Sequence, residues 1–177
     1  VPLLLVMSLL LANIIHFFSF FSILQWKFLR NSCLLPLALP VVSLMFVWQM
    51  VFHKNGLINT YLNLSQDWLN SSYTFWVFAA TFLWKNMGYY VVLWLAGLEA
   101  IPGELYEAAV VDGAGVFARF RYVTLPGLRQ MTSAAFVLAV TATLKSYRES
   151  YLLAGEYPDR SIYMIQHLFH NWFRDMS

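Results

Sequence analysis

Lys85 stands alone in the middle of an apolar run, Thr74 to Leu98, where a charge costs roughly 2.5 to 3.5 kcal/mol on insertion scales. Such a group must face a bundle interior or water. With Asn86 it could donate hydrogen bonds to the hydroxyls of a polar solute, and Gly88 would let a ligand or a neighbouring helix come close. The competing reading sets the ammonium on a backbone carbonyl and has Asn86 bridge two helices. A second polar group, Thr143 to Tyr151 (TLKSYRESY), is too dense for lipid exposure, so it must leave the bilayer or line a cavity. Within it, Arg148 and Glu149 read as an ordinary loop with local ion pairs. His167 and His170 form H-x-x-H on an expected surface helix from Ser161 to Phe173. Zinc sites take more ligands than two, and no carboxylate or thiolate pattern joins them, so no metal is expected. Asn13 and His16 in the first apolar run read as polar contacts between helices.

The elements that must position these groups are membrane helices. Hydrophobic residues make up 60% of the 177-residue chain, aromatics 18% and charged residues only 11%, where soluble domains carry roughly a quarter charged. A span needs about 20 predominantly apolar residues. Four can be drawn, at 1–24, 34–52, 74–98 and 131–144, and the expected fold is all-α, a polytopic membrane helix bundle. Trp26, Trp48, Trp76 and Trp94 fall near span ends, the level that suits an indole. The chain opens on Val1 inside an apolar run and stops abruptly, so it is expected to be an excerpt of a longer protein. Lys27 and Arg30 in one connection, and Arg119, Arg121 and Arg129 in another, argue that both face the cytoplasm. The bases after Leu144 spoil that count, and charge bias alone leaves orientation open. The net charge of +2 and the lack of a basic stripe give no sign of nucleic acid. There is no phosphate-binding G-x-x-x-x-G-K-[ST], nucleophile elbow or H-E-x-x-H. The lone Cys33 can form no internal disulfide.

Between the third and fourth spans lies a polar island, Ile101 to Leu128. Pro102 suits a first helical turn, and Glu104 and Glu107 sit near the positive end of the helix dipole, which predicts a helix from about Pro102 to Asp112. Gly113 can end it in a left-handed conformation. Ala114 and Gly115 then turn the chain into a second helix, expected to run to about Val123 and to stop at Pro126. Ala108 and Ala109 leave one side of the first helix with little bulk, open to close approach by a partner.

Glu107, Ala108 and Ala109, then Asp112, Gly113 and Ala114, and finally Leu125 and Pro126, resemble in order and spacing the EAA loop of binding-protein-dependent ABC importer permeases. The resemblance implies a cytoplasmic coupling helix that fits a groove on an ATP-binding subunit. Glu107 would make the polar contact, Ala108, Ala109 and Gly113 would allow the fit, and Asp112 would help hold the turn. It also fixes this loop on the cytoplasmic side.

Trp84 to Tyr89 resembles the W-K-N-x-G-Y stretch of the sugar-transporting branch, which lines the substrate route there. The resemblance thus implies substrate-path roles for Lys85, Asn86 and Gly88, and for Thr143, Lys145 and Ser146 in the outer half of the fourth span, with Arg148 and Glu149 at its mouth as the alternative to the loop reading. Lys54 to Asn59 is similar to the family's G-x-x-N element, read as a turn and short surface helix that could meet a substrate-binding protein. The expected protein is a multi-pass permease subunit in a bacterial cell membrane, with about four of the family's six core spans. It would have ATP-binding subunits, a second permease subunit in a heterodimer, an extracytoplasmic solute-binding protein, lipid and a sugar as partners, and neither cofactor nor catalytic residue. A non-sugar importer permease is the nearest alternative, and an ion-coupled secondary transporter or a membrane scaffold lies further off.

Overall fold

A computed structural model describes residues 1–19, 32–36 and 38–176. The expected connection carrying Lys27 and Arg30, and the end of the first span after residue 19, lie outside the described residues. The longer elements among these are helices: α1 (Pro2–Ser19), α2 (Val41–Phe52), α3 (Leu57–Leu62), α4 (Thr74–Glu99), α5 (Gly103–Val111), α6 (Val116–Arg119), a π-helical turn (Phe120–Thr124), α7 (Leu125–Gly127), α8 (Arg129–Leu144), α9 (Tyr147–Ala154) and α10 (Ile165–Asp175). The second apolar run does not form one helix from residue 34: residues 32–36 and Ala38 are helical, the chain leaves helix at Leu39 and Pro40, and a new helix begins at Val41.

Length and hydropathy together single out one helical run among the described residues, Val41–Leu62, which is α2 and α3 taken across the turn at His53–Gly56. Residues 116–127 joined to α8 make a second only if a 67° bend is allowed within it. α4, with 26 residues, spans about 39 Å at 1.5 Å per residue. Lys85 and Asn86 at its middle dilute its hydropathy.

The chain divides into two compact units, residues 1–35 with 86–141, and residues 36–85 with 142–177. In the first, α1 and the C-terminal half of α4 supply the core: Leu4, Ala12 and Ile15, with Tyr90, Val91, Trp94, Leu95 and Leu98. The buried Trp94 donates its indole N–H to Ser8 Oγ at 3.0 Å, which satisfies a polar tip that burial would otherwise penalise. Among the described residues Asn13 bonds within its own helix. Its amide donates to Leu9 O at 2.8 Å, one turn back in α1, a local bond always within reach of a short polar side chain. Gly97 lies where a Cβ would come within 2.8 Å of both Leu128 and Met131, so this glycine seats α4 closely on the start of α8.

The core of the second unit is Leu44, Met45, Leu69, Val77, Phe78, Leu153 and Ile162. The G-x-x-N element is a knot within this unit. A Cβ on Gly56 would lie 2.5 to 2.8 Å from the carbonyl oxygens of Met50, Val51 and His53, so only glycine lets the chain turn beneath the end of α2. Asn59 is buried and uses both ends of its amide: Nδ2 donates to Lys54 O at 2.8 Å and Gln66 O at 2.6 Å, and Oδ1 accepts from the Trp68 indole at 2.7 Å.

α10 is an amphipathic helix whose polar side faces its own unit. Ile165, Leu168, Phe169, Trp172 and Phe173 are exposed, whereas His167 and Asn171 are buried. The expected surface helix therefore forms, but His167 is not at its surface. Its Nδ1 accepts from the Met164 N–H at 3.1 Å, and its ring packs on Tyr147 and Tyr163, with centroids 4.6 and 5.2 Å away. Asn171 donates to Glu156 O and to the Tyr163 hydroxyl, both at 3.2 Å. Arg174 pairs with the Glu156 carboxylate and donates to the Tyr157 hydroxyl at 3.0 Å.

Burial, together with the neighbouring His170, pushes the His167 pKa down, against the smaller opposing effect of the Met164 bond. The hydrogen bond from Arg174 lowers that of Glu156. A histidine with a depressed pKa contributes stability above its unfolded value, about 6.5, and loses it as pH falls from there. The Glu156–Arg174 contribution is lost only further down, below about 4.3. Amide hydrogen exchange of α10, corrected for intrinsic rates, is therefore expected to be faster at pH 5 than at pH 7.5, and His167→Gln should remove that difference. An equal pH response in the variant would assign the effect to another group.

Candidate functional site

The Ile101–Leu128 island folds as a projecting hairpin. Pro102 caps α5, Glu104 sits in its first turn, and no residue of α5 is buried. The helix ends as the sequence predicts. Gly113 has φ +75°, its N–H bonds to Val110 O at 3.0 Å, and the next N–H, of Ala114, bonds to Ala109 O at 2.8 Å. This pair of bonds is a Schellman motif. A Cβ on Gly113 would meet nothing within 4 Å, so glycine is needed here for its backbone angle and not for space. Asp112 stands at the cap, but its exposed carboxylate makes no hydrogen bond among the described residues. The two main-chain bonds around Gly113 close the turn.

The second arm differs from expectation as well. Helix does not stop at Pro126 but runs through it by way of the π turn, where the Leu125 N–H bonds to Phe120 O, five residues back. A wider turn just before proline accommodates the missing N–H and the ring better than a regular one. The sharp bend comes at the buried Leu128, between α7 and α8. Tyr106 OH and Thr124 Oγ1, 3.0 Å apart, tie the two arms together. Gly127 fits against Ile101, whose side chain lies 2.8 Å from where a Cβ would be. At the tip, Glu107, Ala108, Val111, Val116 and Phe117 are exposed, Val111 at 86% and Phe117 at 76%. Apolar side chains that far out of any core mark a surface made to be covered. Leu125 and Pro126 lie at the base of the second arm, exposed.

The other predicted residues are divided between the two units. In the first unit, Asn86 is half-buried, and Gly88 is buried against backbone: a Cβ there would strike the Cys33 carbonyl. Gly88 thus admits a neighbouring chain segment, one of the two approaches its sequence allows. In the second unit, Thr143 and Lys145 are exposed where α8 ends. Ser146 is buried, and its hydroxyl donates to Thr143 O at 2.6 Å.

Lys85 has a partner the sequence reading missed. It pairs with Oε1 of Glu149 in the first turn of α9. The side chains of the pair are only 14% and 12% exposed. Glu149 is therefore not in an external loop, and the Lys85 ammonium has a carboxylate where a backbone carbonyl was the alternative. One signal was available: a charge in the middle of an apolar helix requires an opposite one, and Glu149 lies in the other polar stretch too dense for lipid.

The sequence profile of binding-protein-dependent transport system inner membrane components matches residues 5–161. The chain belongs to this family. It is 32% identical over 151 residues to the trehalose/maltose transport system permease protein MalF of Thermococcus litoralis, covering 82% of this chain and 51% of that protein. It is 38% identical over 148 residues to the sulfoquinovosyl glycerol transport system permease protein SmoG of Agrobacterium fabrum, covering 78% and 46%. The diacetylchitobiose uptake system permease protein DasB of Streptomyces coelicolor is 33% identical over 141 residues, covering 75% and 43%. The chain thus spans about half the length of the curated relatives it matches. Membership makes it an all-α membrane component, as its composition implied.

Removing one partner of a buried pair costs about 3 to 5 kcal/mol, whereas replacing both by apolar groups is often neutral. Lys85→Met alone should therefore lower the thermal unfolding midpoint of the detergent-purified protein markedly, and Lys85→Met with Glu149→Leu should recover most of the loss. Equal losses in the single and double variants would show that the pair is not coupled.

Proposed function

We propose that this chain is part of the permease subunit of an ATP-driven ABC importer that takes up a sugar or oligosaccharide delivered by an extracytoplasmic binding protein. The hairpin at Ile101–Leu128 would be its joint with an ATP-binding subunit. The observation that carries this reading is the form of that hairpin. A self-satisfied backbone presents Glu107, Ala108, Ala109 and Val111 on an arm with no buried residue, within a chain of the binding-protein-dependent family. The sugar assignment is supported by the Trp84–Tyr89 run and by relatives whose names specify trehalose/maltose, sulfoquinovosyl glycerol and diacetylchitobiose.

In this reading the helices around 1–24, 34–52, 74–98 and 131–144 cross the membrane, with the hairpin in the cytoplasm and His53–Tyr73 outside. Closure of two ATP-binding subunits pushes on α5. Ile101 follows α4 directly, and Gly97 seats α4 on Leu128 and Met131, so the push reaches α4 and α8 together. The conformation open to the outside and the one open to the inside are then exchanged by differential binding of nucleotide and loaded binding protein. The chain itself performs no chemistry. ATP hydrolysis belongs to the partner, and a second permease subunit completes the pore. Lys85, Asn86, Thr143 and Lys145 remain the candidates for the solute route.

The test uses the full-length permease with its partner subunits in proteoliposomes. Gly113→Ala places a side chain at a left-handed position, at about 1 to 2 kcal/mol, and should reduce uptake partially. Gly113→Pro cannot adopt φ +75° and should abolish both uptake and ATPase stimulation by the binding protein. Full uptake by the proline variant would remove the hairpin from the coupling path.

A further inference from the structure

Resting on the importer reading above, we propose that Glu149 is a specificity-determining residue of the solute route. Its Oε2 accepts a hydrogen bond from a hydroxyl of a neutral, polyhydroxylated solute while Oε1 is bound by Lys85. Glu149 is 9% exposed, Oε1 bonds to Lys85 Nζ, and Oε2 is buried with no hydrogen-bond partner among the described residues. An ionised carboxylate only accepts hydrogen bonds, and leaving one of its oxygens unsatisfied in a buried setting is costly. A pair serving only as a strut could be replaced by apolar side chains at no loss. An acceptor with no partner among the described residues at such a position asks for a donor that comes and goes.

Three neighbouring polar side chains of the same unit are engaged elsewhere. Ser146 donates to Thr143 O, Ser150 Oγ donates to Ile162 O at 3.1 Å, and Gln49 donates to Leu152 O and Leu153 O at 2.7 and 3.1 Å. Those bonds fix α9 at its middle and its end, and the Lys85 bond fixes its first turn, so Oε2 is held in place. The charge of the pair sums to zero. A hydroxyl donor is therefore favoured, whereas an anionic solute group would face a second negative oxygen with Lys85 already engaged.

The experiment follows uptake of radiolabelled trehalose, maltose, xylose and arabinose, with ATP hydrolysis recorded in parallel, by the full transporter in proteoliposomes with its binding protein. Glu149→Gln keeps the volume and an acceptor for Lys85 but offers a donor at the second position. It is expected to reduce solute moved per ATP by about tenfold or more with binding-protein-stimulated hydrolysis retained. Lys85→Met with Glu149→Leu, which removes the pair without leaving a buried charge, should hydrolyse ATP and transport no better. If Glu149→Gln fails to fold, this double variant tests the pair as a whole, Lys85 included. Wild-type solute-to-ATP ratios in the double variant would overturn the role of Glu149 and leave the importer standing. If the unaltered transporter moves none of the four sugars, the sugar reading fails, and this assignment fails with it.

Discussion

A charge within an apolar helix is tolerable only where the same chain brings its opposite to meet it, and the Lys85–Glu149 pair is the clearest instance here. It has structural consequences beyond the two side chains. Glu149 can reach Lys85 only because α8 ends at Leu144, the chain turns at Lys145 and Ser146, and α9 starts again at Tyr147. Gln49, on α2, fastens the other end of α9 through the carbonyls of Leu152 and Leu153. Those carbonyls would have no helical donor of their own. Two polar side chains on hydrophobic helices thus hold one short helix at both ends, and Leu153 beneath it joins the core with Leu44, Met45 and Phe78.

The Ile101–Leu128 hairpin follows the opposite logic. Its main chain satisfies itself, through the two bonds around Gly113 and the Tyr106–Thr124 tie, and its apolar side chains are left outside. A stiff arm of this kind transmits displacement to whatever it is rooted in. The roots are tight: Gly127 on Ile101, and Gly97 on Leu128 and Met131, each at distances where a methyl group would not fit without movement. Glycine therefore plays two parts in one loop. At position 113 it supplies a backbone angle, and at 97 and 127 it supplies proximity.

Much of this was legible in the sequence, for reasons that differ by residue. α5 and its left-handed end could be read because Pro102, Glu104 and Gly113 act locally, through caps and backbone angles that need no tertiary partner. Helix through Pro126 could not, because proline alone argues for a break and the π turn that absorbs it is a compromise with the packing of Thr124 and Leu128. Lys85 was legible as a group needing a partner, but not which one. Glu149 lies 64 residues away, and its own surroundings, TLKSYRESY, look like a solvated loop until α9 buries one face. His167 was hidden in the same way, since H-x-x-H on an amphipathic helix gives no sign that the polar face turns inward.

The central claim is that the hairpin and the solute route are separate working parts, with the hairpin on the side of the ATP-binding subunit. Site-directed cross-linking addresses it directly. Val111 is the most exposed large apolar side chain of α5, and Cys33 is the chain's single cysteine. In the assembled transporter, Val111→Cys in a Cys33→Ser background, treated with a short thiol-to-amine cross-linker, should join this chain to the ATP-binding subunit and not to the binding protein. A cross-link to the binding protein, or none to the ATP-binding subunit in a complex that still hydrolyses ATP on demand, would contradict the account.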